Sequence, residues 1–519
     1  MSDIIALEAK YPMQKKKSRG FRRWHWSRRV VQVAILSLFL YLLLKTTWGN
    51  SAPLSESLFF RLDPLAGISA MLASRSWMAP MALGLVVLLL TVVFARFWCG
   101  WICPLGTILD WLPSRHGSRT GSDIYSYWRH VKYFLLLAIL LAAIFGSLTL
   151  MVFDPISIVY RTVSSAILPG LDVVITKVEE WLYHFNVFQS PVEWFDDRAR
   201  GVILNDQPFL ALSLILAGFF VAILALNAII SRFWCRNLCP LGGLLALVSK
   251  FSFIKHRVDA EKCISCKRCA NICPTGAIDP SNRFAANMTE CITCIECVET
   301  CPVKAVSFGW EWGLPQPQPY DPSRRQFLYT SAMAVAGVAV LRIAPLFNWP
   351  RKNHLRPPGS IEDRLLSDCI RCGECIKVCP TGVIQPSYSG AAGEALWTPK
   401  LRMRSAFCDY ACNACGQVCP TGAIQRLTLA EKRKVVIGHA HIDQQRCFAW
   451  AEARECVVCV EMCPIPEKAI KQEWKQDNAH TGTASVPVPR VVEDLCIGCG
   501  HCEYQCPVEG ESAIRVLSA

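Results

Sequence analysis

Residues 263–274 read Cys263-Ile-Ser-Cys266-Lys-Arg-Cys269-Ala-Asn-Ile-Cys273-Pro274, and residues 291–302 read Cys291-Ile-Thr-Cys294-Ile-Glu-Cys297-Val-Glu-Thr-Cys301-Pro302. This is one ligand spacing written twice. Three closely spaced thiolates suit three irons of a [4Fe–4S] cube, and the fourth cysteine of such a run ligates the other cluster. The expected sets are Cys263, Cys266 and Cys269 with Cys301, and Cys291, Cys294 and Cys297 with Cys273. Proline after the fourth cysteine stops the local helix and turns the chain away. A zinc reading needs four ligands to one ion, which interlocked runs ending in Cys-Pro do not match.

Working outward, four more runs follow residue 360. They are Cys369, Cys372, Cys375 and Cys379; Cys408, Cys412, Cys415 and Cys419; Cys447, Cys456, Cys459 and Cys463; and Cys496, Cys499, Cys502 and Cys506. The second has one extra residue in its first gap and the third a long first gap. Each still offers three clustered ligands and a distant fourth. After each Cys-Pro comes a small turn and then Ile or Val, as in PTGVI and PTGAI, which reads as the short strand of an α+β half-module. His439, His441 and His501 read as surface residues.

These runs use 24 of the 28 cysteines. The remaining four are Cys99, Cys103, Cys235 and Cys239, so every cysteine belongs to a motif and a disulfide scaffold is not indicated. There is no CxxCH for covalent haem. No histidine falls inside a long apolar segment, as a membrane-buried haem would need. The net charge of +13 lies largely beside apolar segments, where basic residues set membrane topology, and does not call for nucleic acid.

Four apolar segments lie at roughly 30–48, 80–97, 133–153 and 208–230. Each approaches the ~20 residues a helix needs to cross a bilayer. The basic tail 1–29 then stays in the cytoplasm, with loops 49–79 and 154–207 outside and loop 104–132 inside. This half is internally repeated: Arg96-Phe97-Trp98-Cys99 leads to Cys103-Pro104-Leu105-Gly106, and Arg232-Phe233-Trp234-Cys235 to Cys239-Pro240-Leu241-Gly242. Cysteines at i and i+4 share a helix face. Two such pairs meeting at the repeat interface offer four sulfurs, enough for a seventh cluster or for paired disulfides, whereas the bland alternative is buried thiols in a helix-ending motif. Asp63-Pro64 and Asp154-Pro155 recur at equivalent places. Asp at N-cap followed by Pro at N1 starts a helix, and a carboxylate there can also accept a proton from quinol. The aromatic residues of the two RFWC stretches read as interfacial anchors.

Residues 310–320 are rich in Pro and Trp and read as a linker. Ser323-Arg324-Arg325-Gln326-Phe327-Leu328 and the apolar stretch to Leu346 read as a twin-arginine-like export signal that remains as a fifth anchor helix. The expected domains are a cytoplasmic tail (1–29), a four-helix membrane domain (30–250), a cytoplasmic two-cluster domain (251–312), a linker and anchor (313–350) and a periplasmic four-cluster domain (351–519). The fold class is thus a multi-domain membrane protein, a four-helix transmembrane bundle with α+β ferredoxin-like domains.

With these motifs laid out, residues 1–312 resemble NapH, a membrane quinol-dehydrogenase subunit that serves periplasmic nitrate reductase, and residues 320–519 resemble NapG and MauM, exported four-cluster ferredoxins. NosR-type proteins share the CxxxCP-bearing membrane core. The resemblance implies an inner-membrane protein passing electrons from the quinone pool through six clusters to a periplasmic cytochrome or terminal oxidoreductase. It also implies that the first C-terminal run pairs with the fourth and the second with the third, so that Cys379 serves the fourth run's set, Cys506 the first's, Cys419 the third's and Cys463 the second's. Two other readings stand beside quinol oxidation: transfer between a cytoplasmic donor and the periplasm without quinol, and NosR-like maturation of a periplasmic metalloenzyme.

Overall fold

The computed structural model of the chain describes residues 19–47, 57–112, 128–184, 189–195, 213–311, 332, 336, 354–387, 396–474 and 486–518. The arginine pair 324–325 and most of the expected anchor 326–346 lie outside them. Among the described residues, two helices are long and apolar enough to cross a membrane, Trp24–Lys45 (22 residues) and Pro155–Tyr183 (29 residues). The other apolar segments form shorter helices, Ala79–Phe94, Val131–Ile144 and Ser213–Ile229.

The helix Pro155–Tyr183 corrects the sequence expectation of a loop over 154–207. Its second half carries Asp172, Lys177, Glu179 and Glu180, and these charges hide a helix whose first half is apolar and buried. A π-helical turn at Val163–Ile167 joins the halves.

Four helices of this half begin with proline: Pro64–Ser74, Pro104–Trp111, Pro155–Thr162 and Pro240–Ser249, with Asp63, Cys103, Asp154 and Cys239 at their N-caps. Proline suits the first position because its missing N–H would have no intrahelical partner there. Asp63 Oδ1 accepts from the Leu65 and Ala66 amides at 2.8 and 3.3 Å, and Asp154 Oδ2 from the Ser157 amide at 2.8 Å. The expected capping role of both aspartates is therefore present.

The two sequence repeats lock crosswise. Pro64–Ser74 of the first packs on Pro240–Ser249 of the second, and Pro155–Thr162 of the second packs on Pro104–Trp111 of the first. The arginines follow the same exchange. Arg96 Nη2 donates to the Cys235 carbonyl at 3.3 Å, and Arg232 Nη1 donates to the Cys99 carbonyl at 2.7 Å. Trp98 and Trp234 are buried (2% and 3% exposed), so these two are core residues rather than the interfacial anchors expected of them.

The six cysteine runs build three modules on one plan. In the first, β1 (Ile254–Val258) before one run pairs antiparallel with β2 (Val306–Trp310) after the next, and a bridge joins Ile278 to Ala286 between the runs. In the second, β3 (Ile384–Pro386) pairs with β4 (Pro399–Leu401) between the runs, and a bridge joins Ser360 to Ile424 outside them. In the third, β5 (His439–Ile442) pairs with β8 (Ile514–Leu517), and β6 (Ile470–Trp474) with β7 (Pro487–Val491).

Two modules dock on the helical core at different places. Ile292 of the first and Ile370 and Cys372 of the second belong to the same buried cluster as Leu42, Leu65, Leu105, Cys99 and Cys235. Near the first module, Arg28 pairs with Glu296 at 2.7 Å and Trp24 meets Trp101 edge-on at 5.5 Å. Near the second, Phe39 of the same helix meets Tyr160 edge-on at 6.3 Å, and the adjacent Arg161 lies 5.1 Å from the Trp397 ring. Arg28 and Phe39 are about 17 Å apart along their helix, so the modules sit toward opposite ends of it.

Candidate iron–sulfur centres

The short spacers of the runs fold into left-handed turns. Ser265, Lys267, Thr293, Ile295 and Arg371 have φ between 53° and 64°, and Gly373, Gly498 and Gly500 between 69° and 91°. Left-handed residues at every second position curl the chain tightly between the cysteines. Cysteines before proline also accept amide hydrogen bonds at sulfur: Cys273 from Ala277 at 3.3 Å, Cys301 from Ala305 at 3.2 Å and Cys419 from Ile424 at 3.5 Å. Hydrogen bonds to sulfur are one of the levers that set cluster potential.

Three cavities show which thiols face each other. One is lined by Cys263, Cys266, Cys269 and Cys301. A second is lined by Cys369, Cys372, Cys375 and Cys419. A third is lined by Cys447, Cys456, Cys459 and Cys506. The other sets show in the electrostatics. Burial pushes the Cys297 thiol up, and Cys294, Cys291 and Cys273 are among the neighbours that add to the shift. Burial does the same at Cys415, with Cys408, Cys379 and Cys412 beside it. Cys499 is pushed up to about 11 by burial, with Cys463 and Cys496 beside it.

The two sets expected from the first pair of runs are therefore assembled as read. The pairing implied for the C-terminal runs is not. Cys419 faces the first run rather than the third, Cys379 the second rather than the fourth, Cys506 the third rather than the first, and Cys463 the fourth rather than the second. The strands explain the correction. The β3–β4 pairing and the Ser360–Ile424 bridge join the first run to the second, and β5–β8 with β6–β7 join the third to the fourth.

The donor set fits [4Fe–4S] cubes: four thiols per site, three from one run and one from its partner. Raised thiol pKa values mean that loading must displace protons from sulfur. His501 departs from the surface reading. It is half-buried and its ring lies 3.8 Å from that of Phe407.

Cys99, Cys103, Cys235 and Cys239 are all buried, 4–6% exposed, and lie within electrostatic reach of one another. Cys239 Sγ accepts from the Gly242 amide at 3.2 Å, the same kind of bond that the cysteines before proline accept in the ferredoxin runs. Asp63 and Asp154 are fully buried close to one another, and Asp63 Oδ2 and Asp154 Oδ1 are buried without a hydrogen-bond partner.

Sequence reading missed the charged joints. Glu290 accepts from Lys132 Nζ at 2.5 Å and Arg96 Nη1 at 3.1 Å. Asp110 pairs with Arg28 and, at 2.6 Å, with Arg232. Arg371 Nη2 donates to Thr149 Oγ1 at 3.2 Å. The clustering of basic residues near apolar ends was visible, but not which of them turn inward.

A family model described as a 4Fe-4S binding domain matches residues 76–119, 211–258 and 415–435, and a 4Fe-4S dicluster domain matches 368–423. Two further 4Fe-4S binding domain models match 256–279 and 493–509. Over 207 residues the chain is 33% identical to the methylamine utilization ferredoxin-type protein MauM of Methylorubrum extorquens, covering 38% of this chain and 91% of that one. Over 200 residues it is 32% identical to the ferredoxin-type protein NapG of Escherichia coli, covering 37% and 85%. Ferredoxin-type protein NapH of Escherichia coli is 28% identical over 275 residues, covering 50% and 78%. No solved structure matches the chain.

Proposed function

The chain belongs to the NapG, NapH and MauM type of polyferredoxin, and we propose that it takes electrons from membrane quinol and delivers them through six [4Fe–4S] clusters to a periplasmic redox partner. When bound, the clusters supply one-electron carriage. The observation that carries this reading is the seating of two cysteine modules toward opposite ends of one helical core. On this reading the core lies in the inner membrane, residues 251–312 face the cytoplasm and 351–519 the periplasm.

The residues divide the work. Cys263, Cys266, Cys269 and Cys301, with Cys273, Cys291, Cys294 and Cys297, hold the cytoplasmic pair, and the four C-terminal sets hold the rest. Quinol gives up two protons with its two electrons. The buried carboxyls of Asp63 and Asp154, each with one oxygen lacking a hydrogen-bond partner, are suited to take up a proton. Arg161 runs from their neighbourhood to Trp397 and Gly373 beside the first C-terminal set. The docking of the first module through Glu290 and Glu296 favours a second reading, in which a cytoplasmic donor feeds the core directly.

Membranes containing the protein separate the two. Reduction of the C-terminal clusters by a quinol analogue, followed by electron paramagnetic resonance, is expected to be rapid, to be blocked by a quinone-site inhibitor, and to slow at least tenfold in Asp63→Asn. Reduction that ignores the inhibitor and proceeds from a cytoplasmic reductant alone overturns the quinol step.

A further inference from the structure

We propose that Cys99, Cys103, Cys235 and Cys239 together hold a seventh iron–sulfur cluster, shared between the two repeats. The site rests on its own geometry; only its role as a stepping stone rests on the function proposed above. Each stretch matched as a 4Fe-4S binding domain in this half, 76–119 and 211–258, contains only two cysteines, half a ligand set. The crosswise packing of the repeats brings the halves together in one buried group.

Three features of the surroundings select an anionic cluster over paired disulfides. First, two cysteines stand at helix N-termini. Cys103 precedes Pro104–Trp111 and Cys239 precedes Pro240–Ser249. A helix N-terminus stabilises negative charge on the thiolate beside it.

Second, the sulfur of Cys239 accepts an amide hydrogen bond from Gly242, as Cys273, Cys301 and Cys419 do in the cluster runs. That bond strengthens on a thiolate and has little purpose on a disulfide.

Third, the thiols lie among buried cations. Arg96 and Arg232 are buried beside Cys99, with Cys239 near Arg96 and Cys235 near Arg232, and each arginine is also paired to a carboxylate, Glu290 and Asp110. Four thiolates around an iron–sulfur core form a net anion that such cations favour, whereas two disulfides are neutral. Arg96 and Arg232 are the joint between the halves, since each holds the backbone of the other repeat's first cysteine.

The place of the group fits a bridge. Gly100, next to Cys99, touches Ile292 so closely that a Cβ there would lie 2.5 Å from the Ile292 carbonyl oxygen. From Cys103 the helix Pro104–Trp111 runs against Pro155–Thr162, which carries Arg161 toward the first C-terminal set. The four thiols thus lie between the modules that the membrane core separates.

The test is metal content and spectroscopy on the full chain purified without oxygen. Six cubes account for about 24 irons per chain; the expected content is higher, by about four if the seventh centre is a cube or about two if it is a [2Fe–2S] centre, which Mössbauer spectra tell apart. The separate variants Cys99→Ser and Cys239→Ser are each expected to lose that increment alone, leaving the other six centres' signals unchanged. Iron and sulfide matching six cubes in the wild type, with the four thiols recovered as disulfides or as alkylatable free thiols, overturns the proposal. The wild-type count and spectra stand even where a variant fails to fold, and none of these readouts depends on whether quinol is the donor.

Discussion

Glu290 shows how much one side chain decides. It is 4% exposed, sits one residue before Cys291 and is bound by Lys132 and Arg96. It therefore ties the first cysteine module to both repeats. Burial pushes its carboxyl up, but Lys132 and Arg96 outweigh that and hold it below its ordinary value of 4.5. A carboxyl depressed in the folded state contributes stability above its unfolded pKa and loses it as pH falls through the folded value. Docking of the module should accordingly weaken as pH falls below about 4.5. Glu290→Gln leaves two buried cations short of a partner and should destabilise the joint by about 3–5 kcal/mol. Faster proteolytic release of residues 251–312 would report it, and an unchanged rate would show the pair to be dispensable. Nothing in Met288-Thr289-Glu290-Cys291 marks that glutamate as buried, because its partners lie far along the chain.

The cysteine runs were legible as local elements because their spacing is itself the coordination chemistry. Which run lends its fourth ligand to which is a property of strand pairing, and four similar runs admit more than one answer. Here neighbours pair, for the physical reason that β3–β4 and β6–β7 close short antiparallel connections between adjacent runs. A direct check is Cys419→Ala. It should perturb the cluster on Cys369, Cys372 and Cys375 and leave the third run's signal intact, read by cluster-resolved paramagnetic resonance; loss of the third run's signal instead would restore the pairing that the resemblance implied. The helix Pro155–Tyr183 was hidden for a different reason. The acidic residues of its second half, Asp172, Glu179 and Glu180, read as a loop's, although an apolar window runs through the middle of the helix. The buried Trp98 and Trp234 were misplaced because an aromatic beside an apolar end is equally at home at an interface or in a core.

At the scale of the whole molecule the sets form a row. Cys372 touches the helical core, and the first and second runs share a module. The Cys408 amide donates to the Cys499 carbonyl at 2.8 Å, and Arg404 donates to the carbonyls of Glu503, Cys506 and Val508, so the second run abuts the fourth. The order outward from the core is therefore first, second, fourth, third, and the long gap between Cys447 and Cys456 belongs to the far end. Cys412→Ala should leave the first set reducible through the core while the fourth and third stay oxidised, as followed by stepwise reduction in membranes; full reduction of the third set in that variant would place the entry elsewhere. Length, charge and hydropathy located the core, but not this order, which depends on how folded modules dock. The crosswise lock between the repeats also bears on biogenesis. Arg96 and Lys132 wait for a glutamate made 194 and 158 residues later, in a module whose thiols are arranged to bind metal, and metal binding of that kind couples to folding. On the proposed reading, a cell short of iron is expected to leave the helical core unfinished and open to its proteases, so that metal supply would act as a checkpoint on newly made chains.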